Sequence, residues 1–399
     1  MDVDFIVGAG ELITCTEEFS IKNGAIACSR GRIVDVGKAS LLRRTHKGEF
    51  LDFSGNTILP GFIDSHTHLI WDGTREEEFV MKLQGKSYLE IQRAGGGIYY
   101  TVDKTRKASR EKLKQNALET LDRMLICGTT TIEAKSGYGL DERTEMKSLD
   151  VIKNIRHPVE LHPTFLAHVI PKEFRGKEDS YIDSVRMLLA KIKKEKLAKF
   201  VDVFCDEGAF TEYQARKILT EAKGHGFKIK MHADEFSSGG AEVAGELGCI
   251  SAEHLLRTTE RGMEALARNN VVACLLPGTP FMLRTAYANA RLILQKGITV
   301  ALATDFNPNC MCESMQLVLT LACVGMKMTP QEAIMASTVG GAKALGLNDV
   351  GSLEPQKKAD FIVLDAPSHA HLGYHFGANL VSHVFKGGEM VVEEGRLLK

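Results

Sequence analysis

The chain lacks a charge imbalance: 50 Lys and Arg face 51 Asp and Glu, for a formal net charge of −1. A polyanionic partner such as nucleic acid therefore has no global electrostatic basis. The densest basic run, 191–199, holds five Lys and one Glu among apolar residues at helical spacing, the pattern of a solvated helix face. No stretch approaches the roughly 18 apolar residues of a spanning helix, so no membrane partner is expected. The opening Met1-Asp-Val-Asp has no basic region and no long apolar run, unlike a secretory leader. The nine Cys are odd in number and follow no framework of spacings, which excludes a disulfide scaffold and predicts a reducing, cytoplasmic setting. Low-complexity segments are also absent. Gly95-Gly-Gly97 is not a phosphate loop, because no Lys-Ser/Thr follows it.

What is present is ordinary globular composition, 44% hydrophobic and 25% charged over 399 residues, enough for one large barrel and a smaller domain. Both ends read as short strands broken by turns: Gly24-Ala-Ile-Ala-Cys28, Gly31-Arg-Ile-Val-Asp-Val-Gly37, Ala359-Asp-Phe-Ile-Val-Leu-Asp365 and Glu389-Met-Val-Val-Glu-Glu-Gly395. The economical inference is a small β-sandwich domain, 1–55 plus 346–399, built from both termini. Between them, eight apolar runs at 57–64, 129–134, 159–166, 200–205, 228–231, 250–253, 271–276 and 299–303 alternate with amphipathic stretches such as 110–127 and 211–224. Apolar strands alternating with helices predict a parallel sheet covered on both faces, and eight repeats predict closure into an α/β (β/α)₈ TIM barrel over 56–345. Thr329-Pro-Gln-Glu332 carries an N-cap, a proline at the first helical position and a capping-box Glu.

The barrel assignment gives a set of polar residues a common address. His66 and His68 end the first strand, and residues two apart on an extended chain project to the same side. His232 ends the fifth strand with Glu235 three residues on, His254 ends the sixth, and Asp305 ends the eighth. Strand C-termini are where such barrels build active sites. Neutral imidazoles with a carboxylate suit one divalent metal, zinc or iron, with a coordination position left for water. Such an ion activates water for hydrolysis, and a nearby carboxylate must move the proton.

These residues resemble the amidohydrolase superfamily, whose marks include Pro60-Gly-Phe-Ile-Asp-Ser-His-Thr-His68, single His at strands five and six, and Asp at strand eight. The stretch Gly351-Ser-Leu-Glu-Pro-Gln-Lys-Lys-Ala-Asp-Phe-Ile-Val-Leu-Asp365 is similar to its returning β segment. Strand four ends at Cys205-Asp-Glu without the Lys that bridges two metals in some members, which argues for one ion. Within the superfamily the chain resembles the imidazolonepropionase family along essentially its whole length. The specific motifs are Arg75-Glu-Glu-Glu-Phe79, Ala94-Gly-Gly-Gly-Ile98, Lys135-Ser-Gly-Tyr-Gly139, His168-Val-Ile-Pro171, His232-Ala-Asp-Glu235, Asp305-Phe-Asn-Pro308 and Tyr374-His-Phe-Gly-Ala-Asn379.

The resemblance implies hydrolysis of 4-imidazolone-5-propanoate, a small molecule, to N-formimidoyl-L-glutamate in histidine degradation, and a homodimer. It implies that His66, His68, His232 and Asp305 bind the metal and that Glu235, His254 and Asp305 are catalytic. It implies substrate contacts from Arg75, Tyr88, Tyr138, His168, Glu235, Asn307, Asn309 and Cys310. Arg75 suits a propionate, since guanidinium pairs carboxylate through two parallel bonds. Two departures stand out: Asn309-Cys310 replaces the family's Gly-Ser/Thr, and Ser65 replaces Pro before the first metal His. The alternatives are a cytosine- or guanine-type nucleobase deaminase of the same superfamily and a catalytically inactive amidohydrolase-like scaffold. His369-x-His371, Cys310-x-Cys312 and Glu76-Glu-Glu78 are read as structural or solvated.

Overall fold

The structure is a computed structural model that describes residues 2–86, 90 and 95–398. Its strands are β1 (Asp2–Ile13), β2 (Ser20–Lys22), β3 (Gly24–Ser29), β4 (Arg32–Lys38), β5 (Lys47–Pro60), β6 (Phe62–Asp64), β7 (Thr129–Lys135), β8 (Glu160–Ala167) and β9 (Phe200–Cys205). They continue as β10 (Lys228–Ala233), β11 (Ser251–His254), β12 (Val272–Leu275), β13 (Val300–Leu302), β14 (Phe361–Leu364), β15 (Val381–Lys386), β16 (Glu389–Glu393) and β17 (Arg396–Leu397).

Strands β6 to β13 pair in chain order, all in parallel, with helices between them. Their residues are almost all buried, as parallel strands covered on both faces must be. The last strand meets the first through the chain just beyond both: Thr304 donates from N–H and Oγ1 to the two oxygens of Asp64 (3.0 and 2.6 Å), Asp305 N–H donates to His66 O, and His68 N–H to Phe306 O. The (β/α)₈ barrel expected from the alternation is therefore present, and its closure brings His66, His68 and Asp305 side by side.

Strands from both ends of the chain form one nine-stranded sheet in the order β17-β16-β15-β14-β5-β1-β3-β4, with β2 on β1. Alternate side chains fall to opposite faces. Val7, Ile26, Phe361 and Val363 pack into one apolar cluster, Ile6, Ala25 and Ala27 into a second. Ile13, Leu59, Ile362 and Leu364 join the barrel's own core, which fastens the sheet to the barrel.

One expected strand is two. The run 57–64 reads as continuous, yet Thr57–Pro60 pairs with β14 in the terminal sheet and only Phe62–Asp64 enters the barrel. Gly61 is the corner. Its N–H donates to Asp360 O (3.0 Å), the next N–H to Gly128 O (3.0 Å), and a Cβ there would run into the Thr130 side chain. Gly61→Ala is expected to destabilise the protein by about 1–3 kcal/mol through overpacking. An unchanged denaturation midpoint would remove this reading of the corner.

The start of the helix Pro330–Met335 is as its residues predict: Thr329 and Glu332 form a reciprocal capping box with Pro at the first helical positions. Helix Glu178–Glu195 leaves Lys191, Lys193 and Lys194 on its solvated side. Among the described residues no helix is long and apolar enough to cross a membrane.

Candidate active site

The strand ends deliver their polar residues to one place. His68 Nε2 lies 3.4 Å from His232 Nε2 and 3.4 Å from Asp305 Oδ1, and His66 Nε2 lies 3.5 Å from the same Asp305 oxygen. Two ligands each about 2.1 Å from an ion, at the tetrahedral angle, lie about 3.4 Å apart. The spacing of these atoms is thus that of a closed set of metal ligands. His66 is fully buried, and among the described residues neither of its ring nitrogens has a hydrogen-bond partner. Such an unsatisfied buried pair is costly unless something outside the protein engages it. His254 joins His66 and Asp305 in a second, overlapping cluster of ligand atoms.

Electrostatics leave these groups in the protonation states that bind a cation. Burial holds the His66 and His68 imidazoles below their ordinary values, and that of His254 down to about 3, so all three are neutral. Burial alone would raise Asp305, but the close approach of the His66 and His68 imidazoles outweighs it and keeps the carboxylate ionised.

The backbone bears the cost of this aim. His254 and Asp305 adopt left-handed φ of 70° and 52°, a conformation uncommon for residues other than Gly. Local bonds hold them: Leu255 N–H donates to Ala233 O, and Thr279 Oγ1 donates to Asp305 Oδ2 at 2.5 Å.

Glu235 stands beside the cluster, its Oε2 3.6 Å from His254 Nε2. The loop carrying it is pinned by the buried Asp206, which accepts from the N–H groups of Glu235, Phe236 and Ser237 at 2.7–3.0 Å. Burial, then the charges of Asp305 and Asp206, push the Glu235 carboxyl well above the usual carboxylate range.

A cavity of about 680 Å³ opens over these groups. Tyr138 and His168 form its wall, their rings 5.1 Å apart. His168 Nδ1 is 3.1 Å from Gly137 O, which assigns the proton to Nδ1 and leaves Nε2 as an acceptor. Tyr138 sits on a turn that needs Gly137 at φ 114°, and buried Glu145 holds that turn by accepting from Gly137, Gly139 and Leu140 N–H. Arg75 lines the same cavity, with Asn307, Asn309 and Cys310. Asn307 is engaged in its own turn: its Oδ1 accepts from Asn309 and Cys310 N–H, and its Nδ2 donates to Asp305 O. Tyr88 lies outside the described residues.

Several participants escaped the sequence reading. Glu78, expected on a solvated face with Glu76 and Glu77, is buried; the helix Glu76–Leu83 turns it inward, where both its oxygens accept from Arg75 (2.8 and 2.6 Å). Asp202 in β9 lies 2.9 Å from His232 Nδ1, fixing that ring from behind. Asp202 in turn is 2.6 Å from Lys135, which also meets Glu133, while Lys230 bridges Glu133 and Glu253; all five side chains are fully buried. The signal was charge inside apolar strands, Glu133-x-Lys135 above all. His369 is taken by Glu11 at 3.0 Å, and the Cys310 and Cys312 thiols face backbone carbonyls.

Known proteins bear on the assignment at this point. The sequence profile of the Amidohydrolase family matches residues 57–391. The imidazolonepropionase of Bacillus cytotoxicus is 45% identical over 382 residues, covering 94% of this chain and 90% of that protein. That of Fusobacterium nucleatum is 43% identical over 413 residues, covering 99% and 100%. Among solved structures, a zinc-bound adenosine deaminase from Xanthomonas campestris superposes with a TM-score of 0.77 at 18% identity, covering 100% of this chain and 94% of that one. The ochratoxinase of A. niger gives 0.73 at 18%, covering 98% and 96%. At such identities the two structures speak for the fold, while the two sequences cover nearly the whole chain, and on them the chain belongs to the imidazolonepropionase family of amidohydrolases.

Proposed function

We infer that the chain hydrolyses 4-imidazolone-5-propanoate to N-formimidoyl-L-glutamate, opening a cyclic C–N bond. One observation carries the reading: a single cavity joins metal-spaced ligands, an acid–base Glu235 and, on its lining, the Arg75 guanidinium. His66, His68, His232 and Asp305 would hold one divalent ion, zinc or iron, for which neutral imidazoles and one carboxylate are a suitable donor set. When bound, such an ion polarises the ring carbonyl and eases deprotonation of water.

The chain's own residues account for the remainder. Arg75 receives the propionate; Glu78 occupies the Nε edge of the guanidinium, and the other edge is left for substrate. Tyr138 and His168 bracket the ring. Water adds to the carbonyl carbon with His254 and Asp305 facing it, and the ring C–N bond breaks. Glu235 takes the water proton and returns it to the departing nitrogen, a task suited to a carboxyl whose proton affinity burial has raised. That all nine cysteines are free thiols supports a cytoplasmic setting.

The test is turnover of freshly made imidazolone propionate, followed by loss of ultraviolet absorbance with the product identified by mass. Ion-dependent appearance of N-formimidoyl-glutamate is the expected result. No turnover, with ammonia release from a nucleobase instead, would overturn it. Arg75→Gln is expected to raise KM roughly 10- to 100-fold, the worth of one charge-assisted contact. A KM within twofold of wild type would remove Arg75 from the carboxylate subsite.

A further inference from the structure

The cation at position 75 is not alone. On the helix Glu76–Leu83 the register places Glu78 three residues after Arg75 and Lys82 four residues after Glu78, all on one face. Glu78 is the hub: it accepts from Arg75, from Lys82 Nζ at 2.9 Å and from Gly97 N–H at 2.8 Å. Burial opposes its charge, but Arg75 and Lys82 outweigh that and hold the carboxyl down to about 2. Lys82 Nζ also donates to Asn309 Oδ1, which ties the helix to the loop after β13, and both residues line the cavity. Asn309 is kept in place by its own N–H, which donates to Asn307 Oδ1 at 2.7 Å.

We propose that Lys82, held between Glu78 and Asn309, is a second cation of the substrate-carboxylate subsite and helps select ligands with an anionic tail. The inference rests on the function proposed above. Three facts support it. Lys82 lines the same cavity as Arg75, with its side chain only 30% exposed. An ammonium has three N–H donors, and Glu78 and Asn309 engage two, which leaves one for a ligand oxygen. Within the Arg75–Glu78–Lys82 cluster itself, two cations against one carboxylate leave a local surplus of one positive charge, which one ligand carboxylate neutralises. Asn309 gives the arrangement its particular form. A Gly at that position would offer no side-chain acceptor, and the ammonium would lose its anchor on the loop after β13.

The test uses the full-length, metal-loaded protein and two non-hydrolysed ligands with the same ring. Imidazole-4-propionate carries the carboxylate tail and 4-ethylimidazole does not. Affinities for both are measured calorimetrically for wild type, Lys82→Met, Asn309→Ala and the double variant. Lys82→Met is expected to weaken the tailed ligand about tenfold, the scale of one charge-assisted bond, with 4-ethylimidazole held within about twofold. Asn309→Ala should shift the same ratio in the same direction and add nothing to Lys82→Met, because it acts through that side chain. Equal weakening of both ligands, as a merely structural strut would give, or an unchanged ratio, overturns the proposal. An additive double variant overturns the anchoring role of Asn309. Wild-type turnover of imidazolone propionate is measured alongside, so that its absence counts against the proposed function while the ligand ratio is judged independently.

Discussion

Glu235→Gln is expected to lower kcat by roughly 10²- to 10⁴-fold, the range spanned by a positioned acid–base group, while the ion content of the purified protein stays as in wild type. The substitution keeps the size of the side chain and removes only its ability to carry a proton. The loop has no reason to move, since Asp206 grips the backbone N–H groups of residues 235 to 237 and not the Glu235 carboxylate. The carboxylate also joins none of the clusters of potential metal ligands found among the described residues. His254 Nε2 lies 3.6 Å from it, too far for a strong hydrogen bond, so among the described residues loss of the charge breaks no strong bond. Turnover and metal content must therefore separate. Unimpaired turnover would exclude Glu235 from proton transfer, and loss of the ion would make it a ligand.

Sequence and structure agree where one rule links residue to address. His66, His68, His232, His254 and Asp305 each end an apolar run, and eight such runs make a barrel whose C-terminal ends converge. The rule fails where the deciding fact is three-dimensional. Three consecutive Glu at a helix start look like a dipole-complementing, solvated turn. Only the placement of Gly97 and Arg75 around the third shows that Glu78 is buried. The corner at Gly61 is invisible in hydropathy because both sides of it are apolar, one facing the terminal sheet and the other the barrel. Asp202 sat in a strand already assigned, and Lys135 one residue past the end of another. Their charges implied that those strands line an interior where acid and base neutralise one another, which requires the register between neighbouring strands. The departure at Asn309 was legible as a departure, yet its partner Lys82 lies 227 residues away in the chain.

Removing the divalent ion is expected to abolish turnover, to restore it on adding back one equivalent of zinc or ferrous iron, and to lower the melting temperature. The argument begins from unbound groups. His66, His68 and His232 and the ionised Asp305 carboxylate converge with ligand-atom spacings of 3.4–3.5 Å, and among the described residues the ring nitrogens of His66 have no hydrogen-bond partner. An ion that binds this folded arrangement and not the unfolded chain must stabilise the fold, by about 2.7 kcal/mol when free ion exceeds Kd a hundredfold. One ion per chain is the expected stoichiometry. The neighbouring cluster of Asp202, His232 and Glu253 also has ligand-like spacing, but it already contains its cations. Lys135 Nζ is 2.6 Å from Asp202, Lys230 Nζ is 3.3 Å from Glu253, and both ammoniums are fully buried. Burial works against the Lys135 charge, yet Asp202 and Glu133 more than compensate and raise its proton affinity above that of an ordinary lysine, so no divalent ion displaces it near neutral pH. Mass spectrometry under native conditions and metal analysis after chelation check both statements. Two ions per chain would mean that Lys135 has yielded its place, and full activity in the chelated protein would end the metal-hydrolase reading.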